Sequence, residues 1–137
     1  MLDRTTNFSV LAGAKSSPEY KKLKALLKDR EWRLDNLYWI KDENGNEIPF
    51  VRNAAQRAYS AAQHFRDLIP KARQLGFSTE IEIEMLDTCL FQKGTRAGII
   101  DNTLGDAQKK LGIIKFAYER LPAQLRQAIP LRKNNTE

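Results

Sequence analysis

A chain of 137 residues with 42% hydrophobic content, 7 Gly and 5 Pro is sized for one domain with a real core. Its 23 Lys and Arg against 17 Asp and Glu leave a net charge of +6, which favours an anionic partner and fits a basic solvated surface equally well. Lone Cys89 and lone His64 exclude a disulfide framework and a Cys- or His-based zinc site, and no apolar run reaches membrane-spanning length.

The first sixteen residues lack periodicity and read as an arm. Their apolar segment, Phe8 to Ala14, is too short for a signal peptide, and its lead-in Asp3-Arg4 is neutral, so a cytoplasmic protein of a reducing compartment is expected. Ser17 and Pro18 predict a helix cap and first position, with Tyr20, Leu23, Leu26 and Leu27 on one face and Lys21, Lys22, Lys24 and Lys28 around the rest. That basic face is either a solvated surface or a nucleic-acid contact.

Leu37 to Lys41 and Glu47 to Val51 predict a β-hairpin, because the Asn44-Gly45 pair between them accepts the positive φ angles of a tight turn. Asn53 and Gln56 have the spacing of a reciprocal capping box for an Ala-rich helix reaching about Phe65. Asp67 to Pro70 predicts a short strand, and a helix is expected from near Ser78 with Ile81, Met85, Leu86, Cys89 and Leu90 as its apolar repeat. Arg96 to Asp101 predicts a buried strand, Thr103 caps a helix with Leu104, Ala107, Leu111, Ile114 and Tyr118 inward, and a short helix spans about Ala123 to Ala128. The order from Asp67 is strand, loop, helix, strand, helix, so the expected class is α/β with parallel strands and a right-handed crossover.

Between the first of those strands and its helix lies Lys71-Ala72-Arg73-Gln74-Leu75-Gly76-Phe77-Ser78-Thr79. A phosphate-binding loop needs inward backbone N–H groups, a cation for the phosphate charge and a hydroxyl for Mg²⁺ at the helix start. Against the G-x-x-x-x-G-K-[ST] pattern, Gly76 and Ser78 fall on the second glycine and the hydroxyl, Lys71 replaces the first glycine, and Phe77 stands at the lysine. Lys71 or Arg73 could supply the cation from the other end. The alternative is an ordinary turn into a helix, with Gly76 serving a positive φ. Gln56 could hydrogen-bond an adenine edge, although its capping role needs no ligand. Tyr59 and Phe50 could flank a base or belong to the core, Cys89 is assigned to packing and His64 to the surface.

In order along the chain, Asn36 to Lys41, Ile48-Pro49-Phe50 with Asn53 to Gln56, the loop Lys71 to Thr79, Ala97 to Asp101, and Ile114 to Tyr118 with Leu121-Pro122 resemble successive blocks of the large terminase subunit of tailed bacteriophages. The resemblance covers 36–137 and implies an incomplete, partial RecA-like P-loop NTPase domain, preceded by an arm and basic helix over 1–35. It further implies ATP and Mg²⁺ as cofactors, held by Gln56, Lys71, Arg73, Gln74, Leu75, Gly76, Phe77, Ser78 and Thr79. Gln56 would sense adenine, and Ser78 or Thr79 would supply the metal hydroxyl. Implied partners are double-stranded DNA, the portal and the small terminase subunit, in a homo-oligomer without membrane contact in the cytoplasm of an infected bacterium.

A motor of this kind also needs an apolar strand ending in acidic residues, one for Mg²⁺ and one to orient the attacking water. No such strand follows Ile114, so the chain is expected to stop mid-domain, before that strand and the nuclease domain, with no catalytic base of its own. The competing expectation is a non-catalytic module that binds nucleic acid or a partner through the basic helix.

Overall fold

The computed structural model describes residues 6–70 and 75–131. After a short 3-10 turn at Phe8–Ala12 come α1 (Pro18–Lys28) and α2 (Arg30–Asn36), then an antiparallel hairpin of β1 (Trp39–Lys41) and β2 (Glu47–Pro49). Four helices complete the chain: α3 (Ala54–Ala62), α4 (Phe77–Phe91), α5 (Leu104–Glu119) and α6 (Ala123–Ala128).

The local signals translate directly into these elements. Ser17 Oγ accepts from Tyr20 N–H at 3.1 Å with Pro18 at the first helical position, which satisfies one donor that a helix start leaves open. The hairpin turn sits at Asp42–Asn46, where Gly45 takes φ 82 and the Asp42 carboxylate accepts from the backbone N–H groups of Asn44 and Asn46, both at 2.8 Å. Thr103 caps α5 by accepting from Asp106 N–H at 3.1 Å.

The two predicted strands outside the hairpin differ. Residues 67–70 and 96–101 are irregular, and the described residues hold one two-stranded antiparallel sheet and no parallel pair. An isolated extended segment has no ladder to satisfy its backbone, so a strand forms only where a neighbour is present. Ile100 and Leu68 accordingly stand 96% and 93% exposed.

The core is built from Leu34, Leu37, Tyr38, Phe50, Ile83, Leu86, Ala117, Tyr118, Leu121 and Leu125, so that α4 packs against both α2 and α5 while α5 also covers β1. On α4 the buried face departs from the expected apolar repeat. Ile83 and Leu86 are buried together with Glu80, Glu82, Glu84 and Asp87, whereas Ile81, Met85 and Leu90 are only half-buried and Cys89 is exposed.

Partners on α2 explain the reversal. Arg33 grips Asp87 with two bonds, Nε to Oδ1 at 2.9 Å and Nη2 to Oδ2 at 2.7 Å, and the Tyr38 hydroxyl donates to the same carboxylate at 2.7 Å. One turn earlier, Arg30 bonds Glu84 at 2.8 Å, and Gln63 donates to the other oxygen of Glu84. The Asp87 bond raises the Arg33 pKa against the opposing effect of burial, and burial first, then the Asp87 charge, pushes the Tyr38 hydroxyl well up. Met85, Cys89 and Leu90 of that repeat instead line an open groove of about 900 Å³, shared with Leu104, Leu111, Ile114 and Leu131.

Removing one member of a buried pair strands the other charge, at a cost of about 3–5 kcal/mol. Asp87→Ala should therefore lower the urea unfolding free energy by about that amount, whereas Asp106→Ala, which breaks a solvent-screened pair with Lys109, should shift it far less. Equal effects of the two substitutions would remove Arg33–Asp87 as the organising contact.

Candidate functional site

Gly76 begins α4 in the left-handed region, at φ 71 and ψ 8, and its carbonyl already accepts the first helical bond from Glu80 N–H at 3.0 Å. No side chain caps this helix start. A 15-residue helix thus presents the donors and the positive dipole end of its first turn, which is the electrostatic requirement for an anion.

The loop is held from below by Gln56. Its Oε1 accepts from Asn53 N–H at 2.7 Å, its Nε2 donates to the Gly76 carbonyl at 2.9 Å, and Asn53 Oδ1 accepts from Gln56 N–H at 2.9 Å. Asn53 Nδ2 also donates to the Leu75 carbonyl at 3.3 Å. The capping box at the head of α3 therefore doubles as a clamp on the head of α4. With its amide oxygen and one N–H so engaged and the residue 4% exposed, Gln56 positions the loop backbone.

Leu75 and Gly76 are exposed, Ser78 is exposed and Thr79 half-buried, so these residues border the outer side of the loop. The Phe77 ring is buried edge-on against Tyr59, at 5.7 Å between centroids, and Phe50 lies in the core. Phe77 thus offers a ligand its backbone N–H. Lys71, Arg73 and Gln74 lie outside the described residues. Ser78 and Thr79 look into different clefts of about 220 Å³ each: Ser78 with Glu82, Ile100 and Lys110, and Thr79 with Lys41, Lys109 and Phe116. The α5 lysines are cations that the linear pattern missed. Their only sequence signal was the pair Lys109-Lys110 on the helix that Thr103 caps.

Two carboxyls set the electrostatics beneath the first turns of α4. Burial pushes Glu80 up to about 7, with the Glu84 charge adding to it and Arg52 and Arg30 opposing, and burial likewise pushes Glu82 up to about 7 against Lys110. Neither carboxyl has a hydrogen-bond partner among the described residues. Around Glu80 the charges are otherwise paired: Arg52 bonds Asp35 at 2.9 Å and Glu31 at 2.7 Å, and Arg57 bonds Asp35 at 2.6 Å. Burial raises the Asp35 pKa, but the bonds from Arg52 and Arg57 outweigh it and leave the carboxyl lowered. Protonated up to near neutrality, Glu80 and Glu82 place little negative charge where an incoming anion would sit.

For a nucleotide with Mg²⁺, the fit lies in the uncapped helix start, the exposed Ser78 hydroxyl and the lysines of the adjoining clefts. Among the described residues no group of three or more His, Cys, Asp or Glu is placed to hold a metal. Ser78 would then share the ion with phosphate oxygens and water, the mode that Mg²⁺ commonly adopts. No described helix is long and apolar enough to cross a membrane. Compared with known protein families, with curated proteins and with solved structures, the chain finds no match.

Two outcomes test this geometry. An L side chain at Gly76 meets both the left-handed φ and a Cβ placed 2.8 Å from Gln56 Nε2, so Gly76→Ala should cost about 1–3 kcal/mol. In a double-mutant cycle, Gln56→Ala with Gly76→Ala should cost less than the two singles together, because the steric part is relieved; strict additivity would disprove the contact.

The second outcome concerns pH. A carboxyl raised from 4.5 to about 7 on folding contributes fully to stability below about pH 4.5, and that contribution declines until about pH 7 as the unfolded chain ionises first. Glu80→Gln should therefore gain about 1–3 kcal/mol over the parent at pH 8 and little at pH 5. Urea midpoints that run parallel across that window would contradict the buried, unpaired carboxyl.

Proposed function

We propose that this chain is the N-terminal portion of a DNA-packaging terminase large subunit, which binds the phosphates of ATP at the head of α4. The observation that carries the reading is the uncapped start of α4, shaped by positive-φ Gly76 and clamped by Gln56, with the Ser78 hydroxyl exposed one residue into the turn. Phosphate oxygens would accept from the first-turn N–H groups, which require no side-chain chemistry at position 77. Cationic charge would come from Lys71 or Arg73, with Lys109 and Lys110 lining the clefts beside Ser78 and Thr79.

ATP with Mg²⁺ supplies a transferable phosphoryl group whose displacement depends on positioning and charge stabilisation. In this chain Gln56 fixes the loop backbone, Gly76 allows close approach, and Ser78 offers the metal hydroxyl. The ordered blocks from Asn36 to Pro122 support the assignment to the packaging motor, whose duplex DNA, portal and small-subunit partners belong to the complete protein.

Removal of the hydroxyl is the direct test. Ser78→Ala should weaken binding of a fluorescent ATP analogue in Mg²⁺ by about tenfold, in line with the loss of one charge-assisted contact, and should leave binding in EDTA nearly unchanged. Equal affinity of both proteins in Mg²⁺ would remove Ser78 from the site.

A further inference from the structure

Two groups of cations stand out among the described residues. Arg30, Arg33, Arg52, Arg57, Lys109, Lys110 and Arg120 each form an ion pair with a carboxylate. On α1, by contrast, Lys21, Lys22, Lys24 and Lys28 are all exposed and none lies within 4.0 Å of a described acidic group. This 11-residue helix carries four lysines and one glutamate, a net +3 of the chain's +6.

Their placement is directional. At 3.6 residues per turn Lys21, Lys24 and Lys28 fall within about 60° of arc and span about 10 Å along the axis, with Lys22 at their flank. Buried Leu23 and half-buried Tyr20, Leu26 and Leu27 hold the opposite face on the protein body. The stripe is therefore presented outward on a helix whose orientation is set by packing.

We infer that the Lys21, Lys24 and Lys28 face of α1 is a docking surface for the phosphate backbone of double-stranded DNA. The chemistry selects this polyanion. Lysine ammonium groups are point charges that meet phosphates without reading base edges, so the contact is independent of sequence. A single strand is held largely by stacking on aromatic rings, and the one ring of α1, Tyr20, lies on the packed face. Anchoring in a lipid surface needs large apolar side chains beside the charges, and this face offers only Ala25 among its lysines. The choice of duplex DNA rests on the packaging-motor reading, while the surface itself involves no residue of the nucleotide site.

The test uses the whole 137-residue chain and a mixed-sequence 20-base-pair duplex, titrated over a range of salt without nucleotide. Each phosphate contact adds about 0.9 to the negative slope of log affinity against log salt, so K21A/K24A/K28A should reduce that slope by about 3 and weaken binding at low salt by more than tenfold. The triple Lys→Arg variant should retain the parent slope, as should K93A/R96A, which removes two exposed cations elsewhere that have no ion pair among the described residues. Because the three lysines are exposed, the thermal midpoint of the Ala variant reports whether the fold is intact. An intact Ala variant with the parent slope, or a parent chain that prefers vesicles of anionic lipid or a single strand of equal length to the duplex, overturns the surface. Duplex binding lost from the parent with Ser78-dependent nucleotide binding intact sinks the surface alone. Lysine-dependent duplex binding without nucleotide binding keeps the surface and sinks the nucleotide site.

Discussion

Arg33 and Asp87 are both almost fully enclosed, and each is tolerable there only because the other is present. The guanidinium meets the carboxylate with two parallel bonds, Tyr38 donates a third, and a further Arg33 N–H reaches the Leu27 carbonyl at 2.8 Å. Arg30 with Glu84 repeats the pairing one helical turn away at the same chain separation, so α2 and α4 are joined by two matched rungs in one register. A slip by one turn would leave a buried charge unpaired at one end. This constraint fixes which face of α4 points inward.

Several features of the outer molecule follow from that rotation. With the acidic side of α4 committed to arginines, its Met85 and Cys89 side turns outward and, with Leu90 at the core's edge, lines the open groove with α5. The same rotation turns Ser78 and Thr79 towards separate clefts and draws Glu80 beneath the first turn, among Arg30, Arg52, Glu84 and Asp35. The arginines beside α4 are held by carboxylates, and four exposed lysines of α1 have no ion pair among the described residues. Half of a net charge that looked diffuse in composition thus lies on one helix.

Gln56 ties the local and global levels together. Its bonds to Asn53 end the backbone irregularity at the head of α3, and its remaining donor holds the Gly76 carbonyl at the head of α4. Two helix starts, at Ala54 and Phe77, are therefore set by one amide. Any ligand at the Gly76 turn meets a backbone already placed by this clamp, which lowers the ordering cost of binding.

Local chemistry determined much by itself: the Ser17, Asn53 and Thr103 caps, the Asn-Gly hairpin turn, the glycine before α4 and the helical ranges near 18, 54, 77, 104 and 123 all depend on residues within a few positions of one another. Even the arginine rungs left a trace, in the three-residue spacing of Arg30 and Arg33 and of Glu84 and Asp87, though periodicity that counts only apolar residues passes over it. Tertiary structure alone decided the rest. Whether 67–70 and 96–101 become strands depends on a partner strand, because ladder bonds are made between segments; which face of α4 is buried depends on charges more than 50 residues away, because burying an acid is favourable only beside its cation. The role of Gln56 likewise needed the loop brought to it in space, since the Gly76 carbonyl it holds is twenty residues distant.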